Sequence, residues 1–158
     1  MVSLECHLPN PETAMLLSET YFEHAAWLHS CIPRNEFFSD IFSRIYHPDH
    51  PDGSLTHSLQ NSSAACNIVR EQVAASDVSG PVLLETAAIL FMALAIGCLL
   101  DLNVPANHPP SVAQAELYHE LACAALGAAG VVERGSLRSV QCLVCGYDHH
   151  ATFYCVRR

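Results

Sequence analysis

Cys142 and Cys145 stand with two residues between them, Gly146 comes next, and His149, His150 and Cys155 follow closely. Two thiolates at that spacing, closed by a glycine turn, are how a zinc knuckle presents its sulfurs. With His149 and Cys155 they complete a candidate set of four zinc ligands. The competing expectation is that the chain from Ser136 to Cys145 continues as one amphipathic helix, on which two cysteines three positions apart form no knuckle. A second candidate is His119-Glu120-Leu121-Ala122-Cys123, which begins like the zinc protease motif but has Cys123 where that motif has its second histidine. The plainer expectation is an exposed His-Glu pair on a helix. A third, His47-Pro48-Asp49-His50-Pro51-Asp52, offers metal-capable side chains in a proline-rich loop and reads equally as a polar turn. The sequence shows no nucleophile elbow, phosphate-cradling glycine loop or paired-carboxylate motif, so an enzyme has nothing to start from. The expectation is a non-enzyme without catalytic, cofactor-binding or resident metal residues.

Composition narrows the classes further. At 158 residues the chain has the length of one domain, and a hydrophobic fraction of 51% is enough for a buried core. Only 15% of residues are charged, against roughly 25% in ordinary soluble domains. All seven basic residues are arginines, which rules out Schiff-base and phosphate-loop lysine chemistry. The formal net charge of −9 would repel a phosphate backbone, so these residues are not expected to bind DNA by themselves. Met1 to Pro9 carries Glu5 and His7 and lacks the basic start and apolar stretch of a secretory signal. The eight cysteines are scattered, and most read as free, buried thiols of a reducing compartment. In that setting the Asn61-Ser62-Ser63 sequon goes unused.

The elements that would position these groups are helices. Asn10-Pro11-Glu12 combines a cap, a proline at the first helical position and an acid in the first turn, predicting a helix to about Ser30. Its apolar face is read as Met15, Leu16, Tyr21, Phe22, Ala25, Ala26 and Leu28. After Pro33, the residues Phe37, Phe38, Ile41, Phe42, Ile45 and Tyr46 recur in adjacent pairs every four positions, a strongly amphipathic helix. His47 to Ser58 reads as a loop, and Ala64 to Ala75 as a weaker helix. Pro81 to Asp101 is the central helix, uncharged from Thr86 to Leu100. A membrane span needs about 20 mostly apolar residues, and Glu85 and Asp101 bracket this run too closely, so a buried helix is expected. Ser111 with Gln114 forms a capping box for a helix carrying Val112, Tyr118, Leu121, Ala122, Ala125 and Leu126, ending at Gly127 and Gly130. A last helix from Ser136 carries Val140, Leu143 and Val144. No strand pattern of similar strength occurs. The fold class read from this is all-α, an irregular array of antiparallel helix pairs, incomplete at its C-terminal end.

In chain order, Leu8-Pro9, Leu17 to Trp27 (LSETYFEHAAW), Arg34 to Tyr46 (RNEFFSDIFSRIY), Leu90 to Leu102 (LFMALAIGCLLDL), Ala115 to Leu126 (AELYHELACAAL) and Ser136 to Leu143 (SLRSVQCL) form a series of blocks. This series resembles the fungal-specific transcription factor domain, the regulatory middle region of binuclear zinc cluster regulators. The resemblance implies a non-catalytic regulatory piece of a nuclear RNA polymerase II transcription factor. It implies residues 1–145 as a partial regulatory domain and 146–158 as a divergent tail. DNA and zinc are implied only for a separate zinc-cluster module, whose cysteine spacing this chain lacks. A second copy of the chain or other transcription proteins are the implied partners, with no membrane. Two alternatives stand beside this reading: a small helical membrane protein with one span at 81–102, and a small zinc-binding protein using Cys142, Cys145, His149 and Cys155.

Overall fold

A computed structural model of the chain describes residues 4–26, 31–47, 79–101, 109–130 and 135–156. The fold is all-α: among the described residues, five helices follow a short 3-10 turn at Leu4–His7, and there is no strand. Helix α1 spans Pro11–His24. Its start is the one the sequence calls for, since the Asn10 side chain accepts from the Thr13 N–H at 2.7 Å, a cap worth about 1 kcal/mol. The buried side of α1 is Ala14, Leu17, Ser18 and Tyr21, whereas Leu16 is more than half exposed. The face expected from the largest apolar residues is therefore rotated. Small residues at 14 and 18 let a neighbouring helix come close, and that contact outweighs the side chain of Leu16.

Helix α2 has three parts: an α turn at Arg34–Glu36, a π-helical stretch at Phe37–Phe42 and a final α turn at Ser43–Tyr46. The adjacent pairs at 37/38, 41/42 and 45/46 repeat every four residues, longer than the 3.6 of an α-helix. A regular helix would carry those pairs progressively off the core. The wider π turn, visible in the Ser43 N–H donating to the Phe38 carbonyl, holds them on it. Phe37, Ile41, Phe42, Ile45 and Tyr46 are all buried. Phe22 of α1 meets Phe37 edge to face at 5.1 Å between ring centroids, and Tyr46 Oη donates to the Pro9 carbonyl at 3.0 Å.

Helix α3 spans Ser79–Leu100, and every residue from Ala88 to Ile96 is buried. It is apolar on all sides and has protein on all sides, which is the only stable place for such a helix in water. The surrounding elements are α4 (Pro109–Ala129), α5 (Leu137–Val156), α1 and the π stretch of α2. Burying Ile89, Leu90, Phe91, Met92, Leu94 and Ile96, at about 2 kcal/mol each, makes this helix the main source of stability. At Gly97 the crossing with α1 is so close that an added Cβ would lie 2.2 Å from the Leu17 carbonyl oxygen. Helix α4 begins two residues before the expected Ser111. It buries Ala115, Tyr118, Leu121, Ala122, Ala125, Leu126 and Ala129, and ends at Gly130, whose φ is 72°. The expected helix at 64–75, the loop residues 48–58 and Asn61 lie outside the described residues.

Candidate functional site

The features with chemical character gather on α5. Its start is fixed by a reciprocal cap. Ser136 Oγ accepts from the Ser139 N–H at 3.1 Å, Ser139 Oγ accepts from the Ser136 N–H at 3.3 Å, and both hydroxyls donate to the buried Glu85 carboxylate at 2.8 and 2.6 Å. A buried carboxylate needs such donors, and here they tie α3 to the first turn of α5. Arg138 holds the same turn to α2 through Glu36 at 3.1 Å and Asp40 at 3.4 Å.

These polar ties decide which way α5 faces. The last helix carries Val140, Leu143 and Val144 as expected, but Leu137, Val140, Leu143 and Tyr147 are each more than half exposed. They recur every three or four residues, forming one apolar stripe on the outside. The inner face carries Ser139, Gln141, Cys142, Cys145, Asp148 and His149, all buried. Hydrophobicity alone predicts the opposite orientation; the capping serines, Arg138 and the cysteines, which behave as small apolar residues, override it.

On that inner face Cys145 meets two groups from the N-terminal half. Its Sγ lies 3.5 Å from Cys31 Sγ and 3.5 Å from Tyr21 Oη. Gln141, one turn earlier, donates from Nε2 to the Cys31 backbone carbonyl at 3.0 Å, and its backbone carbonyl accepts from the Cys31 thiol at 4.0 Å. The Cys145 S–H directed at Cys31 lowers the Cys31 thiol to about 7, against the opposing effect of partial burial. The same bond and deeper burial push Cys145 up, and burial, with Cys145 beside it, pushes the Tyr21 phenol up. Cys31 is thus the sulfur of the pair that ionises first, with two protonated groups next to it.

A second cluster forms where α4 meets the far part of α5. His119 stacks on His149 with ring centroids 4.4 Å apart and planes 9° apart, and His150 meets His119 edge on at 4.9 Å. Cys123, one turn after His119, lies 3.8 Å from its Nε2. His149 is 3% exposed, and neither of its ring nitrogens has a hydrogen-bond partner among the described residues. Burial, then the neighbouring His119 and His150, lower its pKa to about 4; burial, then His150, lower that of His119. Face-to-face rings set their in-plane lone pairs side by side. A shared metal needs those lone pairs to converge, so the stacked pair as it stands holds His119 and His149 as imidazoles that resist protonation.

The proposed zinc set is dispersed. Cys142-x2-Cys145-Gly146 is continuous helix rather than a knuckle turn, and α5 runs through position 146 to Val156. Cys142 is buried and its thiol is pushed up to about 12 by burial, Cys145 faces Cys31 and Tyr21, and His149 stacks on His119. The side chain of Cys155 lies outside the described residues. Gly146 meets the end of Met92 of α3, 3.3 Å from where a Cβ would be, so it serves a helix crossing and not a turn. Among the described residues, no group of three or more His, Cys, Asp or Glu has metal-holding geometry. Of the His47-to-Asp52 candidate, only His47 is described. The six cysteines whose side chains are described are free thiols, but where most were expected to be buried only Cys142 and Cys145 are; Cys31 and Cys98 are partly exposed, and Cys6 and Cys123 are exposed.

The pairing of Cys31 with Cys145 and of His119 with His149 was not read from the sequence. The only signal was weak: the i, i+3, i+7 spacing of Cys142, Cys145 and His149 places them on one helix face. No family profile, no curated protein and no solved structure matches this chain.

Proposed function

We propose that the chain is a non-catalytic regulatory domain of a fungal RNA polymerase II transcription factor, working in the nucleus through protein contacts and reaching DNA only through a separate zinc-cluster module. The observation that carries this reading is one of placement. Among the described residues, the five longer blocks of the resemblance each overlap one of the five helices, and the other four pack on α3, which bears the block from Leu90 as far as Leu100. The outward stripe of Leu137, Val140, Leu143 and Tyr147 supports action by contact, since a contiguous exposed apolar patch suits a protein partner.

The test fuses the full chain to a heterologous DNA-binding domain and follows a reporter gene in fungal cells, together with the position of a fluorescent fusion. The expected result is nuclear fluorescence and a several-fold change in reporter output relative to the DNA-binding domain alone. A double change of Val140→Asp and Leu143→Asp is expected to cancel that change while helical circular dichroism is retained. Reporter output equal to that of the DNA-binding domain alone would sink the reading.

The membrane alternative has the length and hydropathy of Leu83–Leu100 in its favour, but 72% of that window is buried inside the protein. A helix covered by its own chain has little surface left for lipid. Release of the expressed chain from membranes by alkaline carbonate is the expected outcome; retention in the pellet until detergent is added would revive the alternative.

A further inference from the structure

Cys31 and Cys145 come from segments 114 positions apart, and their sulfurs nonetheless stand 3.5 Å from each other. We propose that they form a reversible redox pair, in which a peroxide oxidises Cys31 and Cys145 resolves the product into a disulfide that clamps α5 to the segment before α2. The inference is independent of the regulatory reading.

Three observations converge on it. The sulfurs need to approach by only about 1.5 Å to reach a bonded separation of about 2.05 Å. The two cysteines differ in environment: Cys31 is partly exposed and Cys145 is buried, so an oxidant in solvent reaches Cys31 first. The environment also divides their roles. The Cys145 thiol and the Tyr21 hydroxyl stay protonated through burial, whereas the hydrogen bond from Cys145 favours the Cys31 thiolate. A nucleophilic sulfur near solvent, with a resolving sulfur in contact behind it, is the arrangement a thiol sensor requires. Gln141, one turn before Cys145, holds the Cys31 backbone carbonyl through its Nε2, which keeps the two sulfurs together.

The chemistry balances with a hydroperoxide as oxidant. The Cys31 thiolate attacks one peroxide oxygen, a sulfur–oxygen bond forms, the oxygen–oxygen bond breaks, and the leaving oxygen departs as water or alcohol after taking a proton. Cys31 is then a sulfenic acid, oxidised by two electrons. The Cys145 sulfur attacks the Cys31 sulfur, the sulfur–sulfur bond forms, the sulfur–oxygen bond breaks, and hydroxide leaves with the Cys145 proton as water. A small-molecule dithiol reverses the bond by exchange.

The experiment uses the full chain, purified reduced, desalted and titrated with hydrogen peroxide. Products are read by intact mass and by peptide mapping without reduction. The expected first product is two hydrogens lighter, joins the peptides holding Cys31 and Cys145, and disappears on addition of dithiothreitol. At early times dimedone is expected to label Cys31 and not Cys145. In Cys145→Ser the dimedone-reactive sulfenic acid at Cys31 is expected to persist several-fold longer, and in Cys31→Ser the cross-link is lost. Iodoacetamide is expected to alkylate Cys31 several-fold faster at pH 7 than the exposed Cys6. A first cross-link between any other two cysteines, dimedone labelling of Cys145 before Cys31, or a Cys31 that reacts no faster than Cys6 would each overturn the proposal. Should a serine variant lose its helical circular dichroism, the wild-type cross-link and the order of dimedone labelling decide the matter alone.

Discussion

Helices α3 and α5 are of similar length, 22 and 20 residues, and both present a face to the interior, yet they are held there by opposite means. Helix α3 buries an unbroken apolar run from Ala88 to Ile96 and is covered on every side. Helix α5 buries serine, glutamine, aspartate, histidine and two cysteines, and leaves its larger apolar residues outside. The first is placed by the non-directional gain of removing apolar surface from water. The second is placed by particular hydrogen bonds and ion pairs: Ser136 and Ser139 on Glu85, Arg138 on Glu36 and Asp40, Gln141 on Cys31. The difference shows where stability and chemistry live in this molecule. The core helix supplies most of the favourable energy and has no reactive group in its buried centre. The polar helix contributes less energy and brings every reactive pair together.

That contrast yields four measurable consequences. The largest concerns the centre of α3. Phe91 is fully buried and packs on Tyr118 with ring centroids 5.9 Å apart; Phe91→Ala is expected to destabilise the fold by about 4 kcal/mol, measured by urea unfolding. A loss under 1 kcal/mol would show that α3 is not the core. Next is Gly97→Ala. In an open helix this change gains about 1 kcal/mol of propensity, but here the new methyl would sit on the Leu17 backbone. Overpacking against backbone that cannot rotate away costs about 3 kcal/mol, so a net loss of about 2 kcal/mol is expected, and an increase in stability would disprove the close crossing of α1 and α3.

The third consequence is pH dependence at α5. The pKa of His149 in the folded chain is lowered to about 4, while the unfolded chain has the ordinary value near 6.5. Between those values the unfolded chain binds more protons, so stability is full above about pH 6.5 and falls as pH drops towards 4. A loss of about 3 kcal/mol is expected across that window. His149→Leu is expected to flatten the slope in a series of thermal melts; an unchanged slope would remove the histidine stack from the account of acid sensitivity. The smallest effect belongs to the outer stripe. Leu143→Ser is expected to leave stability within about 0.5 kcal/mol, as for other surface substitutions, and a loss beyond 2 kcal/mol would mean that α5 packs with its apolar side inward after all.

The expectations that held were those with a local cause. The start of α1 at Asn10 and Pro11, the aromatic face of α2, the extent of α3 and the glycine end of α4 each rest on residues within a turn or two of one another. The π stretch was present as a four-residue repeat, although that repeat also suits a plain amphipathic helix. The expectations that changed depended on partners far away in the chain. Leu16 looked like core and faces outward, because Ala14 and Ser18 make the closer crossing. Cys142 and Cys145 lie on a helix that does not break at Gly146, and the contact of Cys145 with Cys31 depends on a segment far away in the chain.

By itself the sequence determined that the chain is helical, where its main helices lie and that the run before Asp101 is the core. Those properties follow from capping, hydrophobic period and the absence of charge, all of which act over a few residues. Only the tertiary structure decided which face of α5 turns inward, and with it that Cys31 meets Cys145 and that His119 meets His149. The reason is physical: a helix with apolar residues on one side and thiols, hydroxyls and an arginine on the other has two plausible ways to pack. The choice was made by Glu85, Glu36, Asp40 and Cys31, groups that no reading of the last helix alone contains.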